Sequence, residues 1–216
     1  MIYTDNSTAL LKSKTIEHFF YLKLGMIGET LDTFKLINTI ANSVSHHKES
    51  IVPSRNKLTG SHLIARALQL EGIQNVFTIA GDHVLPALDV LSDMDFKLID
   101  TRHEQASVHM ADAWGRITGQ TGVAMYTTPG FANAVPGLAN ALHSESPVLS
   151  ISGSAELHEL GMGAMQEIDQ TGMASPTTKG AWTVTDATRI PDMIAHALRV
   201  AYSGRRCPVH LTIPVD

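Results

Sequence analysis

Apolar and polar positions along residues 57–216 follow two alternating rhythms: short apolar runs, and longer stretches with a helical period. Asn75-Val76-Phe77-Thr78-Ile79 is a short apolar run ended by Ala80-Gly81, and it predicts a strand. Phe96 to Ile99, Val123 to Tyr126, Val148 to Ile151 and Val209 to Ile213 predict further strands, with Thr183-Val184 as a shorter one. Between them, Thr59 is a suitable N-cap for a helix carrying Leu63, Ile64, Ala67, Leu68 and Leu70, and Gly72 closes it. Val84 to Leu91 predicts a second helix. Glu104 to Thr118 predicts a third, with Ala106, Met110, Ala113, Trp114 and Ile117 as its apolar face and Gly119 at its end. Pro129-Gly130 reads as a turn before a helix over Ala132 to Leu142, and Ile190 to Tyr202 predicts the last helix. Residues 153–177, rich in Gly and Met, read as one long loop, a length that inside a compact domain is usually functional or shaped by a partner. The alternation implies an α/β fold: a doubly wound, mainly parallel sheet with helices on both faces.

Residues 1–56 have a different character. Phe20, Leu24, Ile27, Leu31 and Phe34 recur at helical spacing, interrupted by Gly25 and Gly28, each of which weakens a helix by about 1 kcal/mol. Asn42 to Asn56 is polar, contains Pro53 and reads as a linker. Two glycines and one proline fall in residues 1–56, against fourteen and eight in the remainder, so the turn-rich folded body begins near Lys57. The expected organisation is a helical extension and linker over 1–56, laid on the body or on a partner, followed by one domain over 57–216.

Composition narrows the function classes. The 216-residue chain is 44% hydrophobic and 17% charged, below the average charged fraction of about 25% and incompatible with global disorder. The formal net charge is −5, and among the scattered cations only Arg205 and Arg206 are adjacent. A nucleic-acid partner, which calls for a basic stripe, is not expected. The single cysteine, Cys207, excludes an internal disulfide framework and a cysteine zinc site. No run of eighteen apolar residues occurs, and Met1-Ile2-Tyr3-Thr4-Asp5 does not read as a secretory leader, so no membrane partner and a cytoplasmic location are expected.

Several familiar motifs are absent. Gly161-Met162-Gly163 lacks the third glycine of a dinucleotide fingerprint, there is no P-loop, and His158-Glu159 lacks the second histidine of a zincin. Ser152 and Ser154 do not form a nucleophile elbow, and the histidines form no metal-ligand pattern. What remains gathers at the carboxyl ends of the predicted strands, where parallel α/β sheets bind ligands. Gly81-Asp82-His83 follows the first strand, Arg102-His103-Glu104 the second, Thr127-Thr128-Pro129-Gly130 the third, and Met165-Gln166-Glu167 lies in the loop after the fourth. On local sequence Glu104 is either a functional carboxylate or a first-turn acid on the helix dipole. His103 and Arg102 are equally compatible with a structural histidine and a surface ion-pair partner.

Leu58-Thr59-Gly60, Gly72-Ile73-Gln74-Asn75-Val76-Phe77, Arg102-His103-Glu104-Gln105-Ala106, Ala111-Asp112, Gly115-Arg116, Gly130-Phe131-Ala132-Asn133, Pro147, Gln166-Glu167, and Gly204-Arg205 through Pro208-Val209 to Ile213-Pro214-Val215-Asp216 occur in a telling order. Together they resemble the N-terminal pyrimidine-binding domain of thiamine-diphosphate-dependent enzymes of the acetolactate synthase and benzaldehyde lyase group. The resemblance implies that Glu104 hydrogen-bonds N1′ of the cofactor's aminopyrimidine. This favours the imino tautomer whose nitrogen removes the thiazolium C2 proton. A carboxyl in an apolar cleft suits that role, because its charged form is disfavoured there. It also implies substrate-side positions at Gly81, His83 and Gln166, with His83 handling protons, and a cofactor cleft of Glu104, Gly81, Thr128, Gly130 and Asn133. Ala80 stands where the family often has proline, and Thr128 where it often has glycine. The family's Gly-Asp-Gly with a downstream Asn-Asn, which holds magnesium and the diphosphate, does not occur; Gly81-Asp82-His83 is not that motif. The implied function is therefore the pyrimidine-binding half of a thiamine diphosphate carboligase, lyase or decarboxylase acting on 2-oxo acids or 2-hydroxy ketones. This chain itself would hold no metal. Its partners would be a second copy, a separate diphosphate-binding subunit that brings Mg2+, or the remainder of a longer protein. FAD belongs to some members but has no support in this segment. The alternative is a non-catalytic interaction module or truncated fragment that retains the fold.

Overall fold

A computed structural model describes residues 58–216; the expected extension and linker over 1–56 lie outside the described residues. Six strands form one wholly parallel sheet in the order β2-β1-β3-β4-β6-β5. The strands are β1 (Asn75–Thr78), β2 (Lys97–Asp100), β3 (Gly122–Tyr126), β4 (Val148–Ser154), β5 (Ala181–Thr183) and β6 (Val209–Pro214). The helices are α1 (Gly60–Leu70), α2 (Leu85–Asp93), α3 (Glu104–Thr118), α4 (Thr128–His143), α5 (Gln170–Ala174) and α6 (Ile190–Tyr202). Every residue of β3, β4 and β6 is buried, as expected of central strands covered on both faces.

Alternate residues of each strand enter two different cores. Val76, Val123, Met125, Leu149, Ile151, Val209 and Leu211 pack with α1, α2 and α6 in a largely apolar layer. The opposite face carries Ala124, Tyr126 and Val148 against Val108 and Ala111 of α3 and Phe131, Ala134 and Leu138 of α4. This second layer also buries polar groups. Register places Ala124, Ser150 and His210 in one row and Tyr126, Ser152 and Thr212 in the next. His210 is fully buried: Nδ1 lies 2.9 Å from Ser150 Oγ, Nε2 lies 3.0 Å from Thr212 Oγ1, and the ring packs on Phe131.

Element boundaries follow local signals. Thr59 is the N-cap of α1, and Gly119 (φ 73°) ends α3 in the left-handed region that favours glycine. The buried face of α3 departs from the expected stripe. Ser107, Val108, Ala111, Asp112 and Gly115 face inward, whereas Met110 is 39% and Ile117 85% exposed. Close approach is the reason. A Cβ on Gly122 would run into the carbonyl oxygen of Ala111, one on Gly137 would meet Val108 at 2.8 Å, and one on Gly115 would meet the Pro147 carbonyl at 3.0 Å. Small residues thus mark the contact, and the bulky ones are left outside. Leu70, expected on the apolar face of α1, is likewise exposed. Gly122→Ala is expected to destabilise the domain by about 1–3 kcal/mol through overpacking. A lower urea midpoint would register this, and an unchanged midpoint would show that β3 and α3 can separate freely.

The block Ala111-Asp112 with Gly115-Arg116 is a structural staple. Asp112 is buried; its Oδ2 accepts from Asn140 Nδ2 at 2.9 Å and from Arg116 at 3.3 Å, and its backbone oxygen accepts from Ser146 at 3.0 Å. Arg116 Nε lies 3.1 Å from Oδ1 but is poorly aimed, so that oxygen has no well-aligned donor. Two further expectations are corrected. Pro129 and Gly130 belong to the first turn of α4, where proline is tolerated, rather than to a free turn. The segment 153–177 is not one loop, because β4 runs to Ser154 and α5 begins at Gln170.

Candidate active site

The order of strands reverses at β1, which has β2 on one side and β3 on the other. In doubly wound sheets this switch point opens a crevice beyond the carboxyl ends of the strands. Three segments converge there on the first turns of α4. One is the loop after β1, another is the start of α3 after β2, and the third is the end of β4.

Glu104 is the first residue of α3, after the N-cap His103, whose Nδ1 accepts from the Gln105 amide at 3.2 Å. Its carboxyl rests against Gly130. A Cβ there would sit 2.8 Å from Glu104 Cγ and Oε1, so only glycine leaves the carboxylate its place. Asn133, one turn on, donates from Nδ2 to Glu104 Oε2 at 3.0 Å. Among the described residues no hydrogen bond takes Oε1.

His83 follows Gly81 and Asp82 after β1. Its Nδ1 lies 2.8 Å from Thr127 Oγ1 and 3.2 Å from Thr128 Oγ1. Burial holds its pKa below the ordinary histidine value, with Asp82 acting in the opposite direction. Gly81 lets this loop approach α4, since a Cβ would meet Thr127 Cγ2 at 2.6 Å. Thus Glu104, Gly130 and Asn133 form one group, His83, Gly81 and Thr128 a second, and the start of α4 joins the two.

Gln166 is not in either group. It is exposed in the loop before α5, at φ 61°, with no hydrogen bond to these residues. Its neighbour Glu167 folds that loop, accepting from the amides of Gly161, Gly163 and Ala164, which hold its carboxyl below the usual range. The buried amide that reaches the site is Gln170, bonded to Thr128 Oγ1 at 3.3 Å and to the Gly153 carbonyl at 3.1 Å. Gln170 and Gly153 are not legible as site neighbours along the chain, because nothing in local sequence distinguishes them from loop and strand residues. Arg102 and Asp82 are exposed. A separate cleft of about 680 Å³ lies at the amino ends of β1 and β3, between Gly72, Trp114, Thr121 and Tyr202, the end of a parallel sheet that does not bind ligands in this fold class.

Comparison with known proteins gives a family. The model described as thiamine pyrophosphate enzyme, N-terminal TPP binding domain, matches residues 58–173, more than half of the chain. A probable acetolactate synthase large subunit of Methanocaldococcus jannaschii is 38% identical over 160 residues, covering 74% of this chain and 27% of that protein. A 2-hydroxyacyl-CoA lyase 2 of Danio rerio is 37% identical over 158 residues, covering 73% and 25%. The acetolactate synthase isozyme 3 large subunit of Escherichia coli is 37% identical over 163 residues, covering 74% and 28%. The chain spans about a quarter of the length of the curated relatives it matches.

Proposed function

This chain belongs to the thiamine pyrophosphate enzyme family, of which it carries the N-terminal cofactor-binding domain, and from that premise we propose that it supplies the pyrimidine-binding half of an active site acting on 2-oxo acids or 2-hydroxy ketones. The chemistry is carboligation, lyase cleavage or decarboxylation. When bound, thiamine pyrophosphate supplies the carbanion-stabilising group at its thiazolium ring. The observation that carries the reading is the open oxygen of Glu104. Asn133 fixes Oε2, Gly130 clears the space beside the carboxyl, and Oε1 is left for one hydrogen bond from a ligand. That open acceptor fits a ring nitrogen able to share a proton with a carboxylate.

Each residue then has a task. Glu104 holds or takes a proton at Oε1. Asn133 orients the carboxyl, and Gly130 and Gly81 let backbone approach. Thr128 positions His83, which moves a proton on the substrate side, and Gln166 presents an amide from the loop. Magnesium and the diphosphate are held by another domain or another chain, one that carries the Gly-Asp-Gly and downstream Asn-Asn pair. A homo-oligomer, a separate diphosphate-binding subunit, or both complete the site in the cytoplasm. FAD has no role assigned to this segment. No described helix is long and apolar enough to cross a membrane.

The half-site reading makes an unusual demand on ligand binding. The chain alone should bind thiamine and thiamine pyrophosphate with similar, weak affinity, because only one ring is held. EDTA should leave both affinities unchanged, and pyruvate should not be consumed. Saturation-transfer NMR on the pyrimidine protons reads the binding directly. Magnesium-dependent tightening by the diphosphate of more than about tenfold, or turnover by the chain alone, would overturn the half-site. Absence of any transfer would favour the non-catalytic module.

A further inference from the structure

A buried hydrogen-bond network joins the loop after β1 to α4, β4 and α5, and its direction can be read from one atom. The carbonyl oxygen of Gly153 can only accept. Thr128 Oγ1 lies 2.9 Å away and Gln170 Nε2 3.1 Å away, and both donate to it. A reversed Gln170 amide would set oxygen against oxygen, so Nε2 faces Gly153 and Oε1 accepts from Ser152. Thr128 has a single proton, and its nearest obligate acceptor takes it. The hydroxyl therefore presents lone pairs to its other neighbours, Gln170 Nε2 at 3.3 Å and His83 Nδ1 at 3.2 Å. Two lone pairs facing at that distance repel, so the hydrogen between Thr128 and His83 sits on Nδ1. Thr127 Oγ1, 2.8 Å from the same nitrogen, accepts from it once Nδ1 carries the hydrogen.

We propose that Thr128, its proton committed to the Gly153 carbonyl beside Gln170, holds His83 in its Nδ1–H tautomer, leaving the Nε2 lone pair as the proton acceptor that this chain offers to substrate. The assignment rests on the half-site reading above. Among the described residues no hydrogen bond takes Nε2. Thr128 is 1% and Gln170 3% exposed, so water does not compete for these contacts. Gly153 contributes twice: besides its carbonyl, its missing side chain leaves room for the His83 segment, since a Cβ there would collide with His83 Cβ. The lowered pKa of His83 keeps the neutral ring, whose tautomer matters, populated near pH 7. Thr128 is the positioning residue in this arrangement.

Long-range 1H–15N spectra of the full chain, with His83 assigned by its loss in His83→Asn, test the tautomer directly. The unmodified chain is expected to show a bare Nε2 and a protonated Nδ1. Thr128→Val removes both the committed proton and the acceptor, and the Nε2–H form appears. Thr128→Ser restores the Nδ1–H form. Gln170→Met, which keeps the shape of the buried chain, leaves the Gly153 carbonyl to Thr128 alone and keeps the Nδ1–H form. A dominant Nε2–H tautomer in the unmodified chain overturns the proposal, as does an unchanged tautomer in Thr128→Val. The measurement needs neither cofactor nor partner, so failure here is separable from failure of thiamine binding, which would instead remove the half-site reading.

Discussion

Glu104→Gln is expected to slow exchange of the cofactor's C2 proton by about two to four orders of magnitude, as would be read in an enzyme assembled from this chain and a diphosphate-binding partner. The substitution is nearly isosteric, which is what makes the size of the effect informative. A glutamine side chain takes the same volume beside Gly130, where the absence of a Cβ leaves the carboxyl its place. Its carbonyl oxygen still accepts from Asn133, so the rotamer is kept. What it lacks is the capacity to take or share a proton at the second position. Cofactor affinity should therefore change much less than the exchange rate, because binding contacts survive while the proton transfer does not. If exchange is unaltered in the complex, Glu104 has no part in the mechanism and its place is structural, a first-turn acid against the helix dipole.

Acidification should destabilise the domain through His210. Burial pushes its pKa down to about 3 from 6.5, against a smaller opposing hydrogen bond from the ring to the Ser150 backbone. Below pH 6.5 the unfolded chain binds a proton on this residue, and the folded chain does not until about pH 3. The unfolded state thus holds more protons, and unfolding free energy falls as pH falls, by about 1.4 kcal/mol per pH unit and roughly 4–5 kcal/mol across the window. His83 acts with the same sign, so the total slope is not diagnostic by itself. The difference between the unmodified chain and His210→Gln is diagnostic. The variant should be less stable at pH 7, having lost part of the Ser150 and Thr212 contacts, but its urea midpoint should decline less steeply between pH 6.5 and pH 4.5. Glu167 and Asp186, whose pKa values are lowered, lose their contributions at lower pH than this. Parallel slopes for the two proteins would show that His210 is protonated in the folded state.

Much of the fold is readable along the chain, for reasons that can be named. The extents of Glu104–Thr118 and Ile190–Tyr202 agree with the structure because periodicity and helix-stopping residues are local signals. The alternation of strands and helices implies a parallel sheet, and that is the sheet observed. The inward face of α3 differs from the expected one because hydrophobic size is a poor sign of burial at this contact. There Ala111 meets Gly122 and Gly137 meets Val108, so backbone proximity, not side-chain bulk, decides what is inside. Glycines that resemble turn residues along the chain are instead places where two elements touch.

Sequence alone determined the fold class, the membership of a cofactor-binding family and the placing of Glu104 and His83 after consecutive strands, since each depends on residues near one another in the chain or on ordered motifs. Only the tertiary structure decided how these groups are held. Asn133 reaches Glu104 across 29 positions, Thr128 reaches His83 across 45, and Gln170 reaches Thr128 across 42. It also separated the exposed Gln166 from the buried Gln170, two amides that local composition could not tell apart. Strand register sets which side chains share a row, and helix approach sets which of them touch. Both are sums over distant contacts, so the direction of a single proton on His83 becomes legible only once the chain has folded.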